Sequence, residues 1–274
     1  MEHKIKLYKP YSKQKPIHRA LLDDKCFFVI ADAGRQAGKT ALAQQQALYW
    51  GLQKSKTKRP TITYWVSPTS SQATKVYNQI IEMIGGKPFV KSNKASKADT
   101  EIVFTNGNKI LFRSAAQEDS LRGETIDYLI VDEAAFVKEE VFNTILLPML
   151  NVRGKKVLLI STPKGKNWFF YNYQKGLKGD DKTYRSFKFI SSDNPYSSKL
   201  IIDIARKNMP DVLFRQEYLG EFVDDAAIFE NISDIAILDT ITKPVQGVQY
   251  WIGVDIALKD DYTVITIIDE DDRV

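Results

Sequence analysis

The apolar run Phe27-Phe28-Val29-Ile30-Ala31 feeds into Ala33-Gly34-Arg35-Gln36-Ala37-Gly38-Lys39-Thr40, and that loop feeds into a helix-like stretch from Ala41 to Leu52. Strand, glycine-containing turn and helix in this order point several backbone N–H groups at one spot, on the positive end of the helix dipole. Such spots bind phosphate. Gly38 lets the backbone approach closely, Lys39 can reach β- and γ-phosphates, and the Thr40 hydroxyl can serve Mg²⁺. Together with Gly34, Arg35, Gln36 and Ala37 they form a candidate nucleotide-binding loop. One position departs from the usual pattern: Ala33 stands where the first glycine is expected. The plainer reading is an ordinary strand-to-helix turn that contains Gly-Lys-Thr.

A second signal strengthens the first. Tyr128-Leu129-Ile130-Val131 ends in Asp132-Glu133. Side chains alternate along a strand, but where the chain turns at its end both carboxylates can face one cleft. In nucleotide hydrolases the first such carboxylate holds Mg²⁺ and the second polarises the attacking water. Asp132 lies 93 residues beyond Lys39, which leaves room for intervening strand–helix units. That layout fits phosphate-loop hydrolases with a strand inserted between the two motifs and a catalytic Glu.

The next apolar strand, Val157 to Ile160, ends in Ser161-Thr162-Pro163. Beside the phosphate-loop strand, Ser161 and Thr162 could sense a γ-phosphate and pass the signal to a moving segment; termination by Pro163 is the simpler account. Arg35 could clamp phosphate or hold the loop by pairing with an acid. Arg122, followed by Gly123, suits a side chain offered to a neighbour's nucleotide, with an internal salt bridge as the alternative. Gln14, ahead of the loop, could read an adenine edge, Tyr11 adding stacking; most glutamines simply lie on the surface.

Strands are predicted at 26–31, 61–66, 101–105, 109–113, 127–132, 156–161 and 183–190, and helices at 38–52, 70–84, 138–147, 197–208 and 211–219. Asn106-Gly107 between apolar runs predicts a hairpin. Alternating elements with continuous apolar strands predict a mainly parallel sheet with helices on both faces. The lone Cys26 reads as core packing, His3 and His18 give no metal-ligand spacing, and no apolar stretch reaches the ~18 residues of a membrane helix. The chain reads as a soluble protein of a reducing compartment. Of the net charge of +5, residues 224–274 hold twelve acids against three bases, a net −9, leaving +14 on residues 1–223. A basic body suits a polyanion. The basic stretches 54–59 and 87–97 are candidate DNA-contacting loops, or plain solvated ones. A boundary is expected near 224–247. Two further strands, 250–256 and 262–268, cannot bury a core alone, so 248–274 reads as the first hairpin of a second domain. Asp255 there could begin a metal-binding carboxylate cluster.

Taken in order, these motifs resemble the large subunit of tailed-bacteriophage terminases, the DNA-packaging motors. The resemblance rests on Gly34-Arg35-Gln36-Ala37-Gly38-Lys39-Thr40, Trp65-Val66-Ser67-Pro68-Thr69, Phe112-Arg113-Ser114-Ala115, Leu121-Arg122-Gly123, Ile130-Val131-Asp132-Glu133-Ala134-Ala135, Ser161-Thr162-Pro163, the run Phe214 to Phe222, and Gly253-Val254-Asp255-Ile256-Ala257. It implies an α/β fold: a P-loop NTPase domain of the ASCE type over 1–223 with a mainly parallel sheet flanked by helices, a lid subdomain at about 165–222, a linker at 224–247, and at 248–274 the start of a ribonuclease-H-like nuclease domain. It implies ATP and Mg²⁺ at Lys39, Thr40 and Asp132, Glu133 as catalytic base, Thr162 as coupler and Arg122 as a finger given to the adjacent subunit. Asp255 would be one nuclease metal ligand, with no DNA cleavage expected of this chain. Double-stranded DNA, a portal protein, a small terminase subunit and a ring of like subunits are the implied partners, in the host cytoplasm and outside the mature virion. The isolated chain is expected to be monomeric and slow. The rival reading is a helicase-like nucleic-acid-dependent ATPase.

Overall fold

The computed structural model describes residues 8–54, 59–96, 99–223, 245–255 and 264–269. They fall into two compact units, Met1–Ala227 and Ile228–Val274. The first unit runs α1 (Gln14–Leu22), β1 (Phe28–Ala33), α2 (Lys39–Leu52), β2 (Ile62–Ser67), α3 (Ser70–Ile84), β3 (Val90–Ala95), β4 (Thr100–Phe104), β5 (Lys109–Ser114), α4 (Glu118–Leu121), β6 (Tyr128–Asp132), α5 (Glu139–Val141), β7 (Lys156–Ser161), α6 (Trp168–Lys178), β8 (Tyr184–Phe189), α7 (Lys199–Asn208) and α8 (Asp211–Leu219). The second contains β9 (Tyr250–Asp255) and β10 (Val264–Asp269), an antiparallel pair.

The eight strands of the first unit form one sheet in the order β3-β4-β5-β2-β6-β7-β1-β8. From β5 to β8 every pairing is parallel, while β3, β4 and β5 pair antiparallel. This is the predicted mainly parallel α/β sheet. Both faces are covered, which is why β1, β6 and β7 are apolar without alternation. On one face Val29 and Ala31 of β1 pack with Leu42, Ala43 and Ala47 of α2. On the other, Ile30 packs with Leu129, Leu159 and Phe169. The Asn106-Gly107 turn joins β4 to β5, with Gly107 at φ 86°. Helix α3 opens with a capping box in which the Thr69 side chain accepts from Gln72 N–H and the Gln72 side chain accepts from Thr69 N–H.

Some elements differ from the sequence reading. The helix predicted at 138–147 is broken into α5, a five-residue π-helical turn at Phe142–Leu146 and a 3-10 turn at Pro148–Leu150. Pro148 has no N–H to extend a helix, and the Thr144 hydroxyl donates to the Glu140 carbonyl. The basic stretch 87–97 is largely the edge strand β3 rather than a loop; of the stretch 54–59, residues 55–58 lie outside the described residues. Within the segment expected as a lid, β8 is the edge strand beside β1 and α6 packs on it, while α7 and α8 pack on each other and on the turn Ser191–Asp193. Among the described residues no helix is long and apolar enough to cross a membrane.

Candidate active site

Because β6, β7 and β1 are adjacent and parallel, their carboxyl ends meet at one edge of the sheet. Asp132 pairs in register with Ile160, and Asp32 with Ser161. The loop after β1, the acids after β6 and the hydroxyls after β7 therefore emerge side by side, at the edge where open α/β sheets bind ligands.

Lys39, the first residue of α2, is buried. Its Nζ lies 3.2 Å from Glu133 Oε1 and donates to Thr162 Oγ1 at 3.0 Å. Thr40 Oγ1 donates to Asp132 Oδ2 at 3.5 Å. Among the described residues, Asp132 Oδ1 is buried without a hydrogen-bond partner. Burial, followed by the adjacent Glu133 charge, pushes the Asp132 carboxyl up to about 7 against the pull of Lys39. A buried carboxylate oxygen beside a threonine hydroxyl, repelled by a second acid, is a donor set that suits a hard cation such as Mg²⁺. Among the described residues no group of three His, Cys, Asp or Glu side chains forms a further metal site.

Glu133 sits at φ 53°, an uncommon conformation for a residue with a side chain. The surrounding contacts hold it there. Ala135 N–H donates to Ser161 Oγ at 3.2 Å, and Thr162 N–H donates to Glu133 Oε2 at 3.4 Å. From the start of α6, Asn167 Nδ2 donates to Ala135 O and Trp168 Nε1 to Val137 O. The turn brings Glu133 onto Lys39, as the strand-end argument required.

The phosphate-loop backbone contains two left-handed residues, Gln36 (φ 55°) and Gly38 (φ 89°). Ala33 closes β1 with its methyl group in the core, and Gly34 is the position that cannot carry a side chain. A Cβ there would lie 2.4 Å from Tyr218 O and 2.7 Å from Ser191 Oγ. The tight approach of the 191 and 218 segments explains where the glycine falls. Of the two roles open to Arg35, the structure holds the ion pair with an acid: its Nε pairs with Glu217, and its N–H donates to Glu217 O at 2.6 Å. Gln14 is buried beneath the loop. Its Oε1 accepts from Tyr11 N–H at 3.3 Å and its Nε2 donates to Gly38 O at 3.1 Å, while the Tyr11 hydroxyl donates to Ala37 O at 2.6 Å. Both ends of that amide serve the protein's own backbone rather than an open adenine-reading edge. Arg122, directly after α4, is exposed, and among the described residues it has no salt-bridge partner. Asp255 closes β9 in the second unit, in register with Val264.

Sequence reasoning passed over Asp32, Ser191, Asn194 and Glu217. Glu217 lies within the quoted Phe214–Phe222 run. Asp32 is the lone acid in the β1 run, which is a readable signal. Ser191 and Asn194 sit in a polar turn with nothing to single them out.

The family model for the N-terminal part of T4likevirus-type terminase large subunits matches residues 30–236, a span that includes the loop, the acidic pair, Thr162 and Arg122. The chain belongs to the terminase large subunit family. The terminase large subunit of Escherichia phage T5 is 31% identical over 268 residues, covering 94% of this chain and 60% of that protein. The chain thus spans about three fifths of the length of this curated terminase relative. The large terminase ATPase domain of Thermus phage P74-26 superimposes with a TM-score of 0.64 at 28% identity, over 79% of this chain and 95% of that domain. The large terminase of bacteriophage HK97 shares the fold, with a TM-score of 0.65 at 17% identity over 96% of this chain and 61% of that one.

Proposed function

We propose that this terminase-family chain is the ATP-hydrolysing part of a motor that drives double-stranded DNA into a viral capsid. The observation that carries the reading is the contact of Lys39 Nζ with both Glu133 and Thr162, at 3.2 and 3.0 Å. It joins the phosphate loop, the acidic pair and the candidate coupler at one point. Loop amides and the Lys39 ammonium would bind the triphosphate of ATP. Thr40 and Asp132 would hold Mg²⁺, which when bound neutralises charge on the phosphates. Glu133 would take a proton from the attacking water as the water oxygen bonds to the γ-phosphorus. The bond from that phosphorus to the bridging oxygen then breaks, and ADP leaves. Thr162, sharing Lys39 with Glu133, would feel the loss of the γ-phosphate. Helix α8, which meets the loop through Glu217, and α7 packed on it would form the lid that moves in response.

The exposed Arg122 supports a role as an arginine given to the next subunit of a ring assembled on DNA. Portal protein and small terminase subunit are the partners proposed for that assembly, in the host cytoplasm. Asp255 is proposed as one ligand of a divalent metal in the nuclease half of such proteins. The test compares phosphate release from ATP by the wild type and by Glu133→Ala, with and without duplex DNA. The reading expects release by the wild type, stimulation by DNA, and loss in the variant. Equal release by both proteins would overturn it.

A further inference from the structure

Four consecutive carbonyl oxygens of the phosphate loop are each capped by a different side chain. Ser191 Oγ donates to Arg35 O at 2.6 Å, Asn194 Nδ2 to Gln36 O at 2.7 Å, the Tyr11 hydroxyl to Ala37 O at 2.6 Å and Gln14 Nε2 to Gly38 O at 3.1 Å. In a trans peptide the carbonyl of one residue and the N–H of the next point in opposite directions. Tying these carbonyls outward therefore turns the N–H groups of Gln36, Ala37, Gly38 and Lys39 inward. Ala37 N–H reaches back to Gly34 O at 3.3 Å. Among the described residues, the amides of Gln36, Gly38 and Lys39 have no acceptor. Inward-facing amides around left-handed residues form an anion-binding concavity.

Two of the four caps come from α1 and its lead-in, and two from the turn after β8. That turn is itself built to hold its shape. Ile190 N–H donates to Asp193 Oδ2 at 2.8 Å, Tyr196 N–H to Asn194 Oδ1 at 3.1 Å and Ser197 Oγ to Ser191 O at 2.8 Å. Ser191 is buried, and among the described residues its hydroxyl donates only to the Arg35 carbonyl. Gln36 carries a side chain in a left-handed conformation that such residues rarely adopt, so its carbonyl needs an external hold.

We propose that Ser191 and Asn194 are positioning residues for the triphosphate, acting through the Arg35 and Gln36 carbonyls to aim the loop amides at the ligand. This rests on the nucleotide-hydrolysing reading above and adds residues to it. Ser191→Ala removes one hydroxyl and leaves little space behind. Asn194→Asp keeps the acceptor for Tyr196 N–H and removes the donor to Gln36 O. Amides that grip phosphate equally in the ground and transition states affect binding uniformly. Each variant is therefore expected to raise KM for ATP about two- to tenfold, with kcat within about twofold of the wild type and a melting temperature lowered by no more than the loss of one hydrogen bond costs. The double variant should lose more than either single.

Steady-state phosphate release decides the matter, with the wild type and Glu133→Gln run alongside. If Ser191→Ala keeps the wild-type KM, the proposal fails, and a shift in Asn194→Asp alone then reports only its added charge. Lower kcat and melting temperature at constant KM would mark a merely structural turn and also overturn it. If the wild type and Glu133→Gln release phosphate equally, the hydrolytic reading itself has failed.

Discussion

Lys39 Nζ lies 3.2 Å from Glu133 Oε1, so the ammonium that a triphosphate would engage is held by the carboxylate that would accept a proton from water. Glu133→Gln should separate the two roles. Hydrolysis is expected to fall by about 10²- to 10⁴-fold with the base removed. Binding of a fluorescent ATP analogue should stay as tight or tighten, because Lys39 loses its internal counter-charge. Single-turnover phosphate release and a binding titration check the two halves separately. Loss of binding together with turnover would contradict this division.

Gly34→Ala tests the close approach at the start of the loop. A methyl group 2.4 Å from Tyr218 O and 2.7 Å from Ser191 Oγ must push backbone apart. The cost should be of the order of 1–3 kcal/mol, typical of overpacking. Chemical denaturation should show that loss, and nucleotide affinity should fall with it. A variant as stable as the wild type would mean that the 191 and 218 segments do not press on the loop in solution.

Asp32 predicts a pH dependence of stability. It is fully buried on the sheet face opposite α2, and among the described residues both carboxyl oxygens lack hydrogen-bond partners. Loss of water pushes its pKa from 3.8 up to about 8, against the pull of Lys188 and Lys39. A raised carboxyl pKa means that the unfolded chain ionises first. The penalty on the folded state is absent below pH ~4, grows by at most about 1.4 kcal/mol per pH unit up to pH ~8, and is level above that. Asp32→Asn removes the titration. Its stability relative to the wild type should therefore rise as pH goes from 5 to 8, measured by urea unfolding. A pH-independent difference would show that Asp32 is ionised in the folded protein.

The sheet was legible because a doubly covered parallel strand is apolar along its middle, as Val29-Ile30-Ala31, Leu129-Ile130-Val131 and Val157-Leu158-Leu159-Ile160 are. Their chemistry was legible because Asp132-Glu133 and Ser161-Thr162 fall at strand ends and Gly38-Lys39-Thr40 opens the helix that follows β1. The antiparallel strand β3 was not, since Val90-Lys91-Ser92-Asn93-Lys94-Ala95 is an edge strand with a mostly exposed, polar face. Helix α1 was passed over because its four buried residues include Gln14, whose burial depends on a carbonyl 24 residues away. The same long-range logic hid Ser191, Asn194 and Glu217. Each meets the loop across more than 150 residues of chain, and no local pattern encodes that meeting.

Arg122 offers a test of action between subunits. Its exposure and lack of a salt-bridge partner among the described residues mean that Arg122→Ala should leave the melting temperature almost unchanged. Turnover in the assembled state should fall by about 10³-fold or more if the side chain completes a neighbour's site. Mixing Arg122→Ala, which keeps an intact Glu133, with Glu133→Gln, which keeps an intact Arg122, should then restore part of the activity. Absence of recovery at any mixing ratio would assign Arg122 a role within its own subunit or none.

The central claim is that loop, acids and hydroxyl converge on one triphosphate, and a crystal structure with ATP-γ-S and Mg²⁺ tests it most directly. The account predicts that the phosphates lie against the amides of residues 36–40, with Lys39 Nζ drawn from Glu133 to a phosphate oxygen and the metal at Thr40 and Asp132. A nucleotide bound elsewhere, or a Lys39 that stays on Glu133 with the analogue in place, would contradict it.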